Sequence, residues 1–249
     1  MLYDHPVLAT RALILLLLAM LLRGAPAGAV EAPPLVVVEL FTSQGCSSCP
    51  PADAYLGELA RRPDVLALAF HVDYWNYIGW NDPFASKLAT QRQRDYSRQL
   101  NLRYVYTPQM VIDGVSEGVG SDRGSIGPLI KAAAEAKARR VPVSVARGRD
   151  GKLDVHVDAG GGEPATVLLI RFDREHSTQV LRGENEGQTL REYQVVRSCA
   201  PIGIWRGEAL DIAVPADQAA GDSGVAIVVQ QGAGAGRIIG ATVLRPTTS

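Results

Sequence analysis

Cys46 and Cys49 are separated by two serines and follow directly on an apolar run over residues 35–42. A helix is expected to begin just after the second cysteine. A thiol at a helix N-terminus meets unpaired N–H groups and a partial positive charge, which both stabilise the thiolate. Such surroundings can lower the pKa of a cysteine from about 8.5 to roughly 3.5–7.5. The spacing therefore predicts a redox-active pair of thiols.

The elements that must position this pair are a strand, a helix and a second strand. The valine-rich residues 35–42 predict a strand buried on both faces, and residues 52–62 predict a helix. Residues 65–72 predict the second strand, and so short a connection implies that the two strands are parallel. An aromatic loop and a helix over residues 84–100 follow as an insertion. Asp113-Gly114 then predicts a hairpin turn.

The second half of the chain has a different pattern. Helix-type periodicity ends near residue 140, after a helix over residues 122–139 that Asp122 is expected to cap. Short β-type runs then alternate with Gly, Asp and Pro, at 143–145, 153–157, 166–172, 194–196, 209–214, 225–229 and 238–244. Strands spaced in this way, without helices between them, favour a separate all-β, sandwich-like domain.

The N-terminus predicts export. Arg11 precedes an apolar stretch over residues 13–22, and small residues follow up to Ala29. This order is typical of a signal peptide, and the apolar stretch is shorter than the about 20 residues that span a bilayer. We expect a signal peptide over residues 1–29, cleavage near Ala29 and a periplasmic or secreted protein, with a retained membrane anchor as the alternative. The domains are then residues 30–140 and 141–249.

The net charge limits the classes of partner, and the odd number of cysteines leaves one of them to be explained. The chain has 25 Lys and Arg against 26 Asp and Glu, a net charge of −1, which does not favour nucleic acid as a partner. Three cysteines leave Cys199 without an obvious partner. It is expected to be a buried small residue, with a resolving thiol or a metal ligand as the alternative.

Thr107-Pro108 and four longer segments carry a family resemblance. Residues 39–53, 70–75, 106–109 and 182–185 are similar to exported bacterial thioredoxin-like proteins catalogued as domain of unknown function 1223, in the thioredoxin superfamily. The resemblance implies an α/β thioredoxin-like domain with a helical insertion, followed by a C-terminal all-β (sandwich-like) domain. It also implies a cis Pro108 packed against a Cys46–Cys49 disulfide.

The resemblance further implies a role for each site residue. Cys46 would be the nucleophile and Cys49 the resolving cysteine. Glu39, a carboxylate in an apolar strand, would accept the proton of the resolving thiol, or else form a salt bridge. The resemblance also makes Thr107 and Pro108 substrate contacts. The aromatic-rich segment 70–106, which is expected mainly to pack the insertion against the sheet, adds Trp75 and Trp80 as expected substrate contacts.

Three functions follow from these residues. The first is a thiol–disulfide oxidoreductase without an organic cofactor, acting on a thiol- or disulfide-containing protein or a small thiol, with a membrane redox partner left open. The second is a copper protein in which Cys46, Cys49 and His71 bind Cu(I), although His71 is also expected to be a hydrogen-bonded residue at a strand end. The third is a binding module with a structural disulfide.

Overall fold

The structure is a computed structural model that describes residues 35–136, 140–218, 224–232 and 234–245. The predicted signal peptide, residues 1–29, lies outside the described residues. None of the helices in the described ranges is long and apolar enough to span a bilayer.

The first half of the described chain alternates strands and helices. Its elements are β1 (Val36–Thr42), α1 (Pro50–Leu59), β2 (Val65–His71), a 3₁₀ turn (Asn76–Ile78), α2 (Lys87–Gln99), β3 (Gln109–Ile112), β4 (Ser116–Val119) and α3 (Arg123–Glu135). The predicted hairpin turn at Asp113-Gly114 is confirmed, since it joins β3 to β4 and both residues have positive φ, 48° and 67°. The predicted cap is also confirmed, because the Asp122 carboxylate accepts the Ser125 N–H at 3.2 Å.

The second half is built from strands. They are β5 (Val143–Arg147), β6 (Leu153–Val157), β7 (Ala165–Gln179), β8 (Thr189–Trp205), β9 (Leu210–Val214), β10 (Gly224–Gln231) and β11 (Ile238–Leu244). With 15 and 17 residues, β7 and β8 are much longer than the runs predicted for them and form one long antiparallel hairpin.

The strands form two sheets. Eight strands form a mixed sheet in the order β11-β10-β7-β8-β2-β1-β3-β4, and β5-β6-β9 form a second sheet. The pairing of β1 with β2 is parallel, as predicted. The two halves of the large sheet meet where β8 runs parallel to β2, with Ala69 paired to Val195.

Burial of β1 on both faces explains how the layers form. Val36, Val38 and Leu40 pack on one face with α1 and α3. Val37 and Phe41 pack on the other face, with α2 and residues of β7, β8 and β10. Because side chains alternate along a strand, one short apolar segment belongs to two cores.

A third core joins the two sheets. Val167 and Leu169 of β7 point to the opposite face from Leu168 and Ile170, and they pack with the three-stranded sheet and the fully buried Trp205. Burial of apolar surface contributes about 25 cal/mol per Å², so this alternation stabilises both faces of the large sheet.

The predicted fold class is therefore wrong. We expected an α/β thioredoxin-like domain with a helical insertion, followed by a separate all-β (sandwich-like) domain. The described chain is instead mostly β, with a large mixed sheet of eight strands and three α-helices. The expectation failed because periodicity reports which faces of a strand are buried and not which strand lies beside it. The edge of β2 is covered by β8, more than 120 residues later in the chain.

Candidate functional site

Cys46 and Cys49 form a disulfide at the junction of β1 and α1, with Cα atoms 5.4 Å apart. A turn positions the first cysteine, since the Cys46 N–H donates to the Ser43 carbonyl and the Cys46 carbonyl accepts the Cys49 N–H. The two cysteines are 1% and 0% exposed, whereas Ser47 and Ser48 between them are exposed. The disulfide therefore lies just below the surface, under a polar turn.

The N-terminus of α1 points at this disulfide, but with fewer donors than usual. Cys49 is the N-cap residue, and its carbonyl accepts the N–H groups of Ala52 and Asp53. Pro50 and Pro51 have no N–H to offer. Nearby polar groups are those of the turn itself, where the Ser48 hydroxyl lies 3.4 Å from the Cys46 sulfur. The two serines thus supply part of the polar surroundings that the prolines remove.

A distant hairpin covers the turn. We call residues 180–188, which join β7 to β8, the hairpin tip. The Asn185 side-chain N–H donates to the carbonyls of Gln44 at 2.8 Å and Cys46 at 3.0 Å. The exposed Glu184 carboxylate accepts the Ser47 N–H at 3.1 Å. The second half of the chain therefore completes the site.

The sequence-predicted substrate contacts surround the same turn. The Trp75 indole donates to the Thr107 hydroxyl at 2.8 Å, and the Trp80 indole donates to the Gln44 side chain at 2.9 Å. Both indoles are half-buried. The Thr107–Pro108 peptide bond is cis, as the resemblance implied. Pairing of Gln109 with Phe41 puts Pro108 level with Thr42, at the end of β1 where the cysteine turn begins.

Four ionisable residues lie buried on the inner side of the site, and we call them the acid cluster: Asp53 of α1, His71 of β2, Asp82 and Glu192 of β8. His71 Nδ1 is 2.7 Å from the Asp82 carboxylate. The same carboxylate accepts the Gln44 N–H at 2.9 Å, and Glu192 accepts from the Gln44 side chain at 2.8 Å. Gln44 thus joins the acid cluster to the cysteine turn.

Burial controls the charges of this cluster. It raises the pKa of Asp53 to about 7, with His71 opposing the rise and Glu192 and Asp82 adding to it. Burial also raises the pKa of Glu192. For His71, burial acts to lower the pKa, but the carboxylates of Asp82, Asp53 and Glu192 together raise it. Burial acts against ionisation of Asp82, yet His71 and two backbone N–H groups lower its pKa. The cluster holds an ion pair beside two carboxyls that ionise reluctantly.

Polar atoms of this region remain without hydrogen bonds. His71 Nε2 and Glu192 Oε2 are buried and have no hydrogen-bond partner within the described part of the chain. Buried polar groups without partners are costly, by about 1–3 kcal/mol each. Such atoms are commonly retained where a proton moves or a water binds.

Glu39 lies elsewhere. Its carboxylate forms a buried ion pair with Arg92 of α2, with an N–O distance of 2.7 Å. Arg92 also donates to the Tyr96 hydroxyl and the Gln230 side chain. Glu39 therefore belongs to an ion-pair network on the face of β1 that packs against α2, as in the salt-bridge alternative.

The remaining candidates from the sequence are His71 and Cys199. His71 contacts Asp82, and no group of three His, Cys, Asp or Glu side chains in the described ranges could hold a metal ion. Cys199 is a free, half-buried cysteine of β8 that packs against the core containing Phe41. Burial raises the pKa of its thiol.

Four residues of the site were missed by the sequence reasoning. Asp53 stands four residues after Cys49, a spacing that puts both side chains on one helix face, and this signal was available. Asp82 and Glu192 contact Gln44 from 38 and 148 positions away, and no local pattern marks such contacts. Asn185 belongs to the segment 182–185 that carries the family resemblance, but no contact with the turn was predicted for it.

Comparison with known proteins identifies relatives. A family model described as Protein of unknown function (DUF1223) matches residues 37–230. The chain is similar to the crystal structure of protein AGR_C_4864 from Agrobacterium tumefaciens, at 35% identity and a TM-score of 0.77, over 86% of this chain and 95% of that one. It is also similar to HBP35 of Porphyromonas gingivalis, at 14% identity and a TM-score of 0.60, over 87% and 78% of the two chains, a likeness of fold alone. No curated protein matches the chain.

Proposed function

The chain belongs to the DUF1223 family of proteins of unknown function, and we propose that it is a thiol–disulfide oxidoreductase that cycles the Cys46–Cys49 pair. The observation that carries this proposal is the location of the disulfide. It spans a two-residue turn at a helix N-terminus, beneath exposed serines and above a buried acid cluster. A disulfide that closes so short a loop removes little chain entropy, so a purely structural role explains it poorly.

The two cysteines have different roles in this proposal. In the reduced protein, the Cys46 thiolate attacks one sulfur of a partner disulfide, forms a mixed disulfide and releases the partner's other sulfur as a thiolate. The Cys49 thiolate then attacks the Cys46 sulfur, the mixed disulfide breaks and the partner leaves reduced. The same steps in reverse oxidise a dithiol partner. Cys46 lies in the turn before the helix, whereas Cys49 is the N-cap residue of α1, which supports this order.

Asp53 is the proposed proton acceptor for the resolving step. Cys49 must lose its proton before it attacks, and Asp53 follows it by one helical turn. An acceptor works best when its pKa lies near the working pH, and the Asp53 pKa of about 7 meets this condition. Glu39 is neutralised by Arg92 and takes no part in this step.

The proposed function also includes the compartment in which the protein acts, its partners and its cofactor requirement. The protein is exported to an oxidising compartment, and its partners are proteins or small molecules that carry a thiol or disulfide. The reaction needs no organic cofactor. A relationship with the thioredoxin superfamily is supported locally, by the cysteine turn between β1 and α1 and by Pro108 beside the end of β1.

The test is a trapping experiment. Replacing Cys49 by Ala prevents resolution, so the Cys49→Ala protein should accumulate a mixed disulfide through Cys46 when mixed with disulfide-bonded insulin. The wild-type protein should catalyse insulin reduction by dithiothreitol, or the oxidative refolding of a reduced substrate. Cys46→Ala is the matched control and should trap nothing. Absence of both an adduct and catalysis would contradict the proposed function.

A further inference from the structure

We infer that the site selects partners that carry positive charge beside their reacting sulfur, and that Glu184 is the residue that discriminates. This inference deepens the proposed function and rests on it. The partner is thus a basic peptide segment or a cationic thiol, and an anionic thiol is disfavoured.

The cysteine turn donates hydrogen bonds to several carboxylates. Three carboxylates touch residues 43–49: Asp82 and Glu192 at Gln44, and Glu184 at the Ser47 N–H. Within the described ranges, no Lys, Arg or His side chain hydrogen-bonds to this turn. On the buried side, His71 balances the charge of Asp82 and burial raises the pKa of Glu192, so the charge of Glu184 is the one left without a partner base at the turn.

Exposure separates Glu184 from the other two carboxylates. Asp82 is buried, and its charge is paired with His71. Glu192 is 2% exposed. Glu184 is exposed, and hydrogen bonding to the Ser47 side chain and N–H lowers its pKa, so it is ionised at neutral pH. Its charge is the one that an approaching partner meets.

The hydrogen bond to Ser47 holds the Glu184 charge near the reacting cysteine. Ser47 is the residue next to Cys46, so the Glu184 carboxylate is held one residue away from the cysteine that a partner thiolate attacks. Charges of this kind act chiefly on association and on the choice between partners. Arg182 and Glu186 lie on the same hairpin tip and are exposed, but neither side chain hydrogen-bonds to the turn in the described part of the chain.

Partners are selected in the first of two thiol–disulfide exchange steps. A partner thiolate attacks the Cys46 sulfur, the Cys46–Cys49 bond breaks and Cys49 leaves as a thiolate. A second partner thiolate attacks the mixed disulfide, so two partner thiols are oxidised to one disulfide and the protein gains two thiols. The attacking group is already negative. A nearby positive charge on the partner therefore offsets its repulsion by Glu184.

The experiment uses two synthetic peptides that differ only in the residues flanking a single cysteine, which are two lysines or two glutamates. The rate of reduction of the oxidised full-length protein is measured by acid quench and mass spectrometry at low salt. Rates are divided by the thiolate concentration of each peptide, because the flanking charges also change the thiol pKa. The quantity compared is the ratio of the lysine-peptide rate to the glutamate-peptide rate.

We expect this ratio to be about fivefold or more in the wild type and to approach one in 1 M salt, where the screening length is about 3 Å. Glu184→Gln should reduce the ratio about twofold to threefold. Glu186→Gln, which removes the same charge from the same tip without a hydrogen bond to the turn, should change the ratio less than Glu184→Gln does. Any general change in Cys46 reactivity affects both peptides equally and cancels in the ratio.

Two different results would overturn the inference. If both peptides reduce the wild-type disulfide at equal rates, or if Glu184→Gln leaves the ratio unchanged, charge selection at Glu184 is wrong while the proposed function stands. If neither peptide reduces the disulfide, the proposed function is wrong and the inference fails with it.

Discussion

Asp53 is the residue whose ionisation bears most directly on the proposed chemistry. Its carboxyl is 7% exposed, and burial raises its pKa from 3.8 to about 7. It shares a helix face with Cys49 and an electrostatic environment with His71. A buried carboxyl with these neighbours can exchange its proton near neutral pH, which an exposed aspartate cannot do.

The kinetic consequence is a pH-dependent resolving step. In the wild type, the rate at which Cys49 resolves a mixed disulfide should rise as the pH passes through about 7, because Asp53 becomes able to accept the proton. Asp53→Asn should lower this rate at pH 8 by about tenfold and remove the inflection. Stopped-flow measurement of partner release from a preformed adduct provides the rate.

Glu39→Gln is the matched control for Asp53→Asn, since both changes replace one buried carboxylate by an amide. Glu39→Gln leaves Arg92 without its counter-charge and should lower the free energy of unfolding by about 3 kcal/mol. It should keep the inflection of the resolving rate. Loss of the inflection in Glu39→Gln and its retention in Asp53→Asn would reverse the roles assigned here.

The same carboxyl also links stability to pH. Asp53 releases its proton near pH 3.8 in the unfolded chain but near 7 in the folded protein, so the folded state binds more protons between these values. Its contribution to stability is therefore complete below pH 3.8 and is lost as the pH rises to about 7. Asp53→Asn should reduce the fall in unfolding free energy between pH 5 and 7.5 by about 1–3 kcal/mol. Urea titrations at a series of pH values measure this; an unchanged fall would contradict it.

At the scale of elements, the hairpin tip controls access to the disulfide. Cys46 is 1% exposed although its neighbour Ser47 is exposed, and the Asn185 side chain fastens the tip to two carbonyls of the turn. A partner sulfur reaches Cys46 only when groups around the turn move aside. The two hydrogen bonds of Asn185 therefore oppose the reaction.

Removing those bonds should speed the reaction. We expect Asn185→Ala to increase the rate at which dithiothreitol reduces the Cys46–Cys49 disulfide by up to about thirtyfold, since two hydrogen bonds of about 1 kcal/mol each are lost. The exposed Gln188 lies on the same tip, and Gln188→Ala should leave the rate unchanged. Equal rates in the wild type and Asn185→Ala would show that the tip does not limit access.

At the scale of the whole molecule, the site depends on both halves of the chain. Residues of β1 and β2 share one core with Ile170 of β7 and Val228 of β10. Because β8 lies beside β2, removing the second half would expose this core and one edge of β2. Exposed apolar faces and unpaired strand edges favour aggregation.

Truncation tests this dependence and the predicted domain boundary together. A chain of residues 35–140 should lack a cooperative unfolding transition, whereas residues 35–249 should unfold in one transition, as followed by circular dichroism during a thermal scan. A folded, soluble 35–140 fragment would show instead that residues 30–140 form an independent domain.

Sequence reasoning located the disulfide but not the architecture around it. The strand before Cys46, the helix after Cys49 and the Asp122 cap are local, and neighbouring residues specify them. The sheet order depends on contacts such as Ala69 with Val195, which leave no periodic signal. The contact of Glu192 with Gln44 also joins residues far apart in sequence, and it was not predicted for the same reason. The wrong fold class followed from the strand pairings that could not be predicted.

The reduction potential of the Cys46–Cys49 pair tests the central claim most directly. It is measured by equilibrating the wild-type protein with glutathione redox buffers, and with dithiothreitol buffers at lower potentials. We predict a value above about −300 mV, in the range where exchanging disulfides are found. A value below about −300 mV is typical of structural disulfides and would contradict a redox function for this site.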